Sequence, residues 1–155
     1  MGISNENPDD FIRANTLLLM QAQQTGKTKD IEFILRKVFR TKEHKTNPIF
    51  LMADAHNKLN KQKFQKSLDS LSVLDEHLDS IPINLRDAFM IERAEIRALA
   101  HLALFYKSPE DLQRFDKTMK SFESLQKVAK EQNLTKIADR AQAEIEHLQN
   151  WRPVS

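Results

Sequence analysis

The five histidines of this chain, His44, His56, His77, His101 and His147, are its first candidates for chemistry. A metal site built on helices needs ligands one turn apart on one face, matched by a second set on a facing helix. Only Glu144 and His147, in "EIEH", have that spacing, and a di-iron bundle needs a second such motif and further glutamates. The sequence therefore assigns no metal and no cofactor. "TGKT" at 25–28 has the ending of a phosphate-binding loop, but Gln21 stands where that loop requires its first glycine, and no strand precedes it. Acid–base chemistry has one candidate, Glu95, whose neighbours on a helical wheel are Ile91, Leu99 and Leu102. A carboxylate in apolar surroundings must be paired, hydrogen-bonded or protonated, and the expectation is a pair with an arginine or lysine of a neighbouring helix. Spacing identifies no second convergent acid or base, so no catalytic residue is assigned and the chain reads as a non-enzyme. The remaining candidates are cationic. Arg86, Arg93, Arg97 and His101 follow one another at steps that hold a single stripe on one helix. "RKVFRTKEHK" at 36–45 sets Arg36, Lys37, Arg40, Lys42 and Lys45 against Glu43.

Those residues need elements to hold them, and composition bounds the elements. At 155 residues the chain fits one domain, 1–155, long enough to bury a core without staples. Two glycines and one tyrosine disfavour sheets and their tight turns, and the absence of cysteine removes disulfides, thiolate metal sites and thiol nucleophiles. The formal charge of +2, from 24 basic and 22 acidic residues, does not announce nucleic acid. A nucleic-acid-associated regulator working through the basic 36–45 segment is the second functional reading. However, Phe39 is its only aromatic, and cations closing a helix near Lys42 account for it through the helix dipole. No apolar run approaches the roughly 18 residues of a membrane span. "MGISNENPDD" lacks the basic-then-apolar plan of a signal peptide, and Glu6 breaks the myristoylation pattern that "MGIS" begins. The expectation is a soluble cytoplasmic protein with no membrane partner.

Punctuation predicts seven helices, about 8–25, 29–43, 48–60, 62–80, 85–106, 109–131 and 134–150. Asn7–Pro8, Asn47–Pro48 and Ser108–Pro109 are each an N-cap followed by a proline in the first helical position. Asp111 in "SPED" would then sit in the first turn, and Asn84 with Asp87 marks the fifth start. Gly26 closes the first helix, Thr28 can cap the second, and Asn133 separates the last two.

Two helices repeat. "ADAHNKL" at 53–59 returns as "ALAHLAL" at 98–104, and a weaker copy, "AQAE", begins at Ala141. "FQKSLDSLSVL" from Phe64 returns as "FDKTMKSFESL" from Phe115 in the same order. Helix pairs repeating at such spacing stack, each hairpin burying its apolar face on the next. Ala55, Phe64, Ser67 and Leu71, then Ala100, Phe115, Thr118 and Phe122, resemble the tetratricopeptide-repeat pattern over roughly 48–150. Leu74 and Leu125 depart from its last small position, its early Trp and closing Pro are missing in register, and the repeat exceeds the usual length of about 34 residues.

This resemblance implies a short right-handed α-solenoid or bundle of about seven antiparallel helices, all-α. It also implies a concave groove lined by first helices that holds a protein or peptide, or a second copy of the chain. In this sequence the groove would be lined by Met52, His56, Arg93, Arg97 and His101, with Arg140 and Glu144 from the last copy. Two arginines in such a groove would suit an acidic, partly apolar segment, since guanidinium binds carboxylate in a bidentate fork. The fifth helix is apolar almost all round, from Phe89 to Phe105, and should be the central element.

Overall fold

The computed structural model describes residues 8–151, so Asn7 and the rest of the first segment lie outside the described residues. Among these the chain forms seven α-helices and no strand: α1 Pro8–Gln24, α2 Thr28–Phe39, α3 Pro48–Asn60, α4 Phe64–Asp75, α5 Arg86–Lys107, α6 Leu112–Glu131 and α7 Thr135–Gln149. None is long and apolar enough to cross a membrane.

Three tight turns share one device. Gly26, Gln62 and Asn133 have φ of 67°, 62° and 59°, the left-handed conformation that ends a helix. The amide three residues past each helix end returns to a carbonyl of the last turn: Lys27 to Ala22, Lys63 to Lys58 and Leu134 to Ala129. Such short turns fold α1 on α2, α3 on α4 and α6 on α7 as hairpins. At the third helix the expected cap is present, with Asn47 Oδ1 accepting from the Ile49 amide at 3.0 Å beside Pro48. At the sixth it moves. Asp111, not Ser108, caps α6, accepting from the Gln113 and Arg114 amides at 3.0 and 3.3 Å, so Pro109 stays in the turn. Thr28 is the first residue of α2 rather than its cap, and Asn84 lies in a 3-10 turn before α5. The second and fourth helices stop four and five residues short of the positions read from sequence, because 3-10 turns at Lys42–His44 and Leu78–Ser80 take over.

Three apolar cores explain the repeated alanines. The first, between α1, α2 and α3, holds Leu19, Val38, Phe50 and Ala53. The second joins α3, α4 and α5 through Leu51, Met52, Ala55, Leu71, Ile96 and Ala100. The third joins α5, α6 and α7 through Ala94, Ala98, Phe105, Phe122, Ala141 and Leu148. Residues two apart on a helix point about 200° from each other at roughly 100° per residue. Ala53 and Ala55 therefore serve different cores, and so do Ala98 and Ala100. The following helices repeat as well. Ser67 Oγ donates to the Ala55 carbonyl at 2.7 Å, and Thr118 Oγ1 donates to the His101 carbonyl at 3.0 Å. Each is a buried hydroxyl tying the second helix of a pair to the first.

Candidate functional site

Packing on two flanks leaves α5 two open faces on opposite sides of the helix. Arg93, Arg97 and His101 lie on one, Glu92, Glu95, Leu99 and Tyr106 on the other, roughly half a turn away at about 100° per residue. The seven residues expected to share one groove are divided accordingly.

Met52 is only 3% exposed and belongs to the second core, so it lines no surface. It sits in register with Arg97 in the repeat, but the flank of α3 that carries it is covered by α4 and α5. Arg93 and Arg97 turn toward α4, where Asp75 accepts from Arg93 Nε at 2.5 Å and from Arg97 Nη2 at 2.6 Å. One carboxylate thus engages both guanidiniums, and the pair is internal to the molecule. His101 follows them on the same side, in a cleft of about 400 Å³ between α4, α5 and α6. Burial first, then the charges of Lys117 and Arg97, hold its imidazole below the usual 6.5. These three residues therefore do not face α7, and the acidic partner expected for the arginines is supplied in part by the chain's own Asp75.

The opposite face brings together the remainder. His56 Nδ1 lies 3.7 Å from Glu92 Oε1, an exposed contact between α3 and α5. Glu92 is held above 4.5, by burial first and by the charge of Glu95 as well, with His56 opposing. Beyond it, a cleft of about 340 Å³ opens between α5 and α7. Leu99, Leu102 and Ile137 form its apolar wall, and Glu95, Arg140 and Glu144 flank it. Two of the expected groove residues, Arg140 and Glu144, therefore meet here with Glu95 rather than with Arg93 and Arg97. Glu95 is half-buried and, among the described residues, has no salt-bridge partner, so the pair expected for it is not formed. Glu144 Oε2 is shielded from water with no hydrogen-bond partner. The Tyr106 hydroxyl is held above its usual 10.0, by partial burial first and then by the charge of Glu144. Sequence reasoning missed Leu99, nearly half exposed on a helix otherwise buried on both flanks, together with Leu102 and Ile137. The signal was Glu95 itself: a carboxylate among leucines marks an apolar face that solvent still reaches.

The described residues gather no group of three metal-binding side chains. The basic 36–45 segment straddles the end of α2. Arg36 and Lys37 stand in its last turn, where they oppose the helix dipole, and Lys37 Nζ covers the Phe33 ring at 5.6 Å. No family model, no curated protein and no solved structure matches the chain.

Proposed function

We propose that the chain is a non-enzymatic, tetratricopeptide-like interaction module, an adaptor or regulatory subunit of the cytoplasm, that holds a segment of another protein in the α5–α7 cleft. The observation that carries this reading is the open apolar wall of Leu99, Leu102 and Ile137 with carboxylates on either side. An apolar cleft with a few convergent polar groups is the usual form of a binding site. Charge decides the occupant. Glu92, Glu95 and Glu144 stand on this face against Arg140, so the segment that fits presents an apolar side chain beside a lysine or arginine. Such a cation would also give Glu144 Oε2 the partner it lacks. The alternative of a nucleic-acid regulator rests on the 36–45 segment, two of whose cations, Arg36 and Lys37, already stand at the C-terminal end of α2.

A random peptide library displayed on phage tests the reading. Selection on the folded chain should enrich sequences with Lys or Arg within a turn of Leu, Ile or Phe. Leu99→Glu should abolish enrichment, and the double change Glu95→Lys with Glu144→Lys should invert the selected charge. No enrichment, or enrichment indifferent to these changes, refutes the cleft as the binding site.

A further inference from the structure

The cleft on the other face of α5 differs in its charge from four other clefts of the molecule. It is lined by Gln65 and Ser72 of α4, Arg97 and His101 of α5, and Arg114 and Lys117 of α6, over a floor of Leu68 and Leu104. Among the described residues, no carboxylate lines it. The cleft between α1 and α2 has Asp30, that beside His56 has Glu92, that between α2 and α3 has Glu32 and Asp54, and the α5–α7 cleft has Glu95 and Glu144. Every polar side chain on the wall can donate a hydrogen bond.

The cations here are not used up by the fold. Asp75 supplies one negative charge to Arg93 and Arg97 together, which leaves the trio with a positive charge in surplus. Arg114 Nη1 donates to the Leu104 carbonyl at 2.9 Å, which fixes its guanidinium at the rim, and its Nε stands 3.8 Å from Asp111, a loose contact on a half-exposed pair. The Lys117 ammonium has no hydrogen bond and no salt bridge among the described residues, while its carbonyl accepts from Ser121 Oγ at 2.8 Å. Thr118 holds the crossing of α5 and α6 in place, through Oγ1 to the His101 carbonyl at 3.0 Å, so the donors from the two helices converge on a fixed frame.

We propose that this cleft binds a phosphomonoester, with Arg97, Arg114 and Lys117 around the phosphate, His101 beside it, and the organic group on Leu68 and Leu104. Guanidinium forks and an unpaired ammonium are the side chains that recognise phosphate oxygens. The volume of about 400 Å³ is more than a bare phosphate fills, and the leucine floor favours an organic substituent over free phosphate. The site lies on the opposite face of α5 from the α5–α7 cleft and does not depend on what that cleft holds.

Phenyl phosphate and inorganic phosphate, each titrated into the intact chain and followed by NMR, are the probes. Phenyl phosphate should shift the side-chain signals of His101, Arg97 and Arg114 and bind at least fivefold tighter than inorganic phosphate. Lys117→Glu, at an exposed position without partners, should keep the fold and weaken phenyl phosphate at least tenfold. Lys130→Glu, an exposed lysine elsewhere on α6, should change neither. Equal binding of the two anions places the site with free phosphate and removes the organic subsite. Shifts spread over all surface cations, or a Lys117→Glu variant that binds as the parent does, overturn the proposal. Tight binding of a single-stranded RNA oligomer with no response to phenyl phosphate overturns it in favour of a polynucleotide.

Discussion

Removing Asp75 tests whether the two arginines of α5 are structure or binding surface. Its carboxylate accepts at 2.5 Å from Arg93 and 2.6 Å from Arg97, and the three side chains are 33%, 17% and 26% exposed. Two charge-assisted hydrogen bonds at about 1.5–3 kcal/mol each set an upper bound. Side chains about a sixth to a third in water lose roughly half of that to screening, which leaves about 1.5–3 kcal/mol for Asp75→Ala. At about 2–4 °C per kcal/mol for a chain of this size, the thermal midpoint should fall by about 3–12 °C. Arg97→Ala should be milder, about 1 kcal/mol, because Asp75 keeps Arg93. The order Asp75→Ala above Arg93→Ala and Arg97→Ala is the signature of one acceptor shared by two donors. Urea denaturation followed by far-UV circular dichroism gives each value, and the cycle through the Arg93–Arg97 double variant gives their coupling. A shift below about 0.5 kcal/mol for Asp75→Ala, the range of an ordinary surface substitution, would show the network to be solvent-screened decoration. An Arg97→Ala variant as destabilised as Asp75→Ala would refute the shared acceptor.

Ala98→Leu and Ala100→Leu enlarge fully buried positions in two different cores, and each should lower the free energy of urea unfolding by about 1–3 kcal/mol, with near-additive effects in the double variant. Gln62→Gly, at φ 62°, should raise stability by about 1 kcal/mol in the same assay, since glycine adopts the left-handed conformation without a Cβ clash. Glu92 has a raised folded-state pKa, so its contribution is fully present below the usual 4.5 and lost as pH rises through the raised value. Glu92→Gln should therefore be more stable than the parent at neutral pH and lose that advantage in urea titrations below pH 4.5. His101 has the opposite sign: its depressed pKa gives stability that is present above the usual 6.5 and lost as pH falls through the lower folded value. His101→Gln should flatten that acid-side loss.

The helices were legible because their signals are local. Asn47 and Pro48 cap a helix wherever the chain goes, and Gly26 and Asn133 can take a positive φ that most residues resist. Gln62 takes the same conformation without a sequence sign, because the hairpin of α3 and α4 imposes it. The misplaced start of α6 has a similar cause. Ser108–Pro109 and Asp111 both carry N-cap chemistry, and Asp111, whose Oδ1 accepts from two amides, prevails. The Ala-x-Ala repeats were legible as packing marks, but which core each alanine enters depends on neighbours that only the folded chain supplies.

The candidate site was harder to read for a reason of geometry. A surface helix has one polar side, so a polar stripe on it identifies the exposed face at once. α5 is wedged between two cores and has two polar sides, and periodicity gives them equal standing. Arg93, Arg97 and His101 make the more conspicuous stripe, yet their side faces α4 and α6, and a carboxylate from α4 engages two of them. Glu92, Glu95 and Leu99 look like an error in an apolar helix until α3 and α7 are placed beside them. A buried central helix must keep both its polar sides in contact with water or with partners, and here the two differ in sign. The carboxylate side carries an open leucine wall flanked by Glu95 and Glu144, and the cationic side carries more positive charge than its one engaged carboxylate, Asp75, offsets. One helix therefore carries two faces of opposite charge, and the packing that buries its flanks is what keeps the two apart.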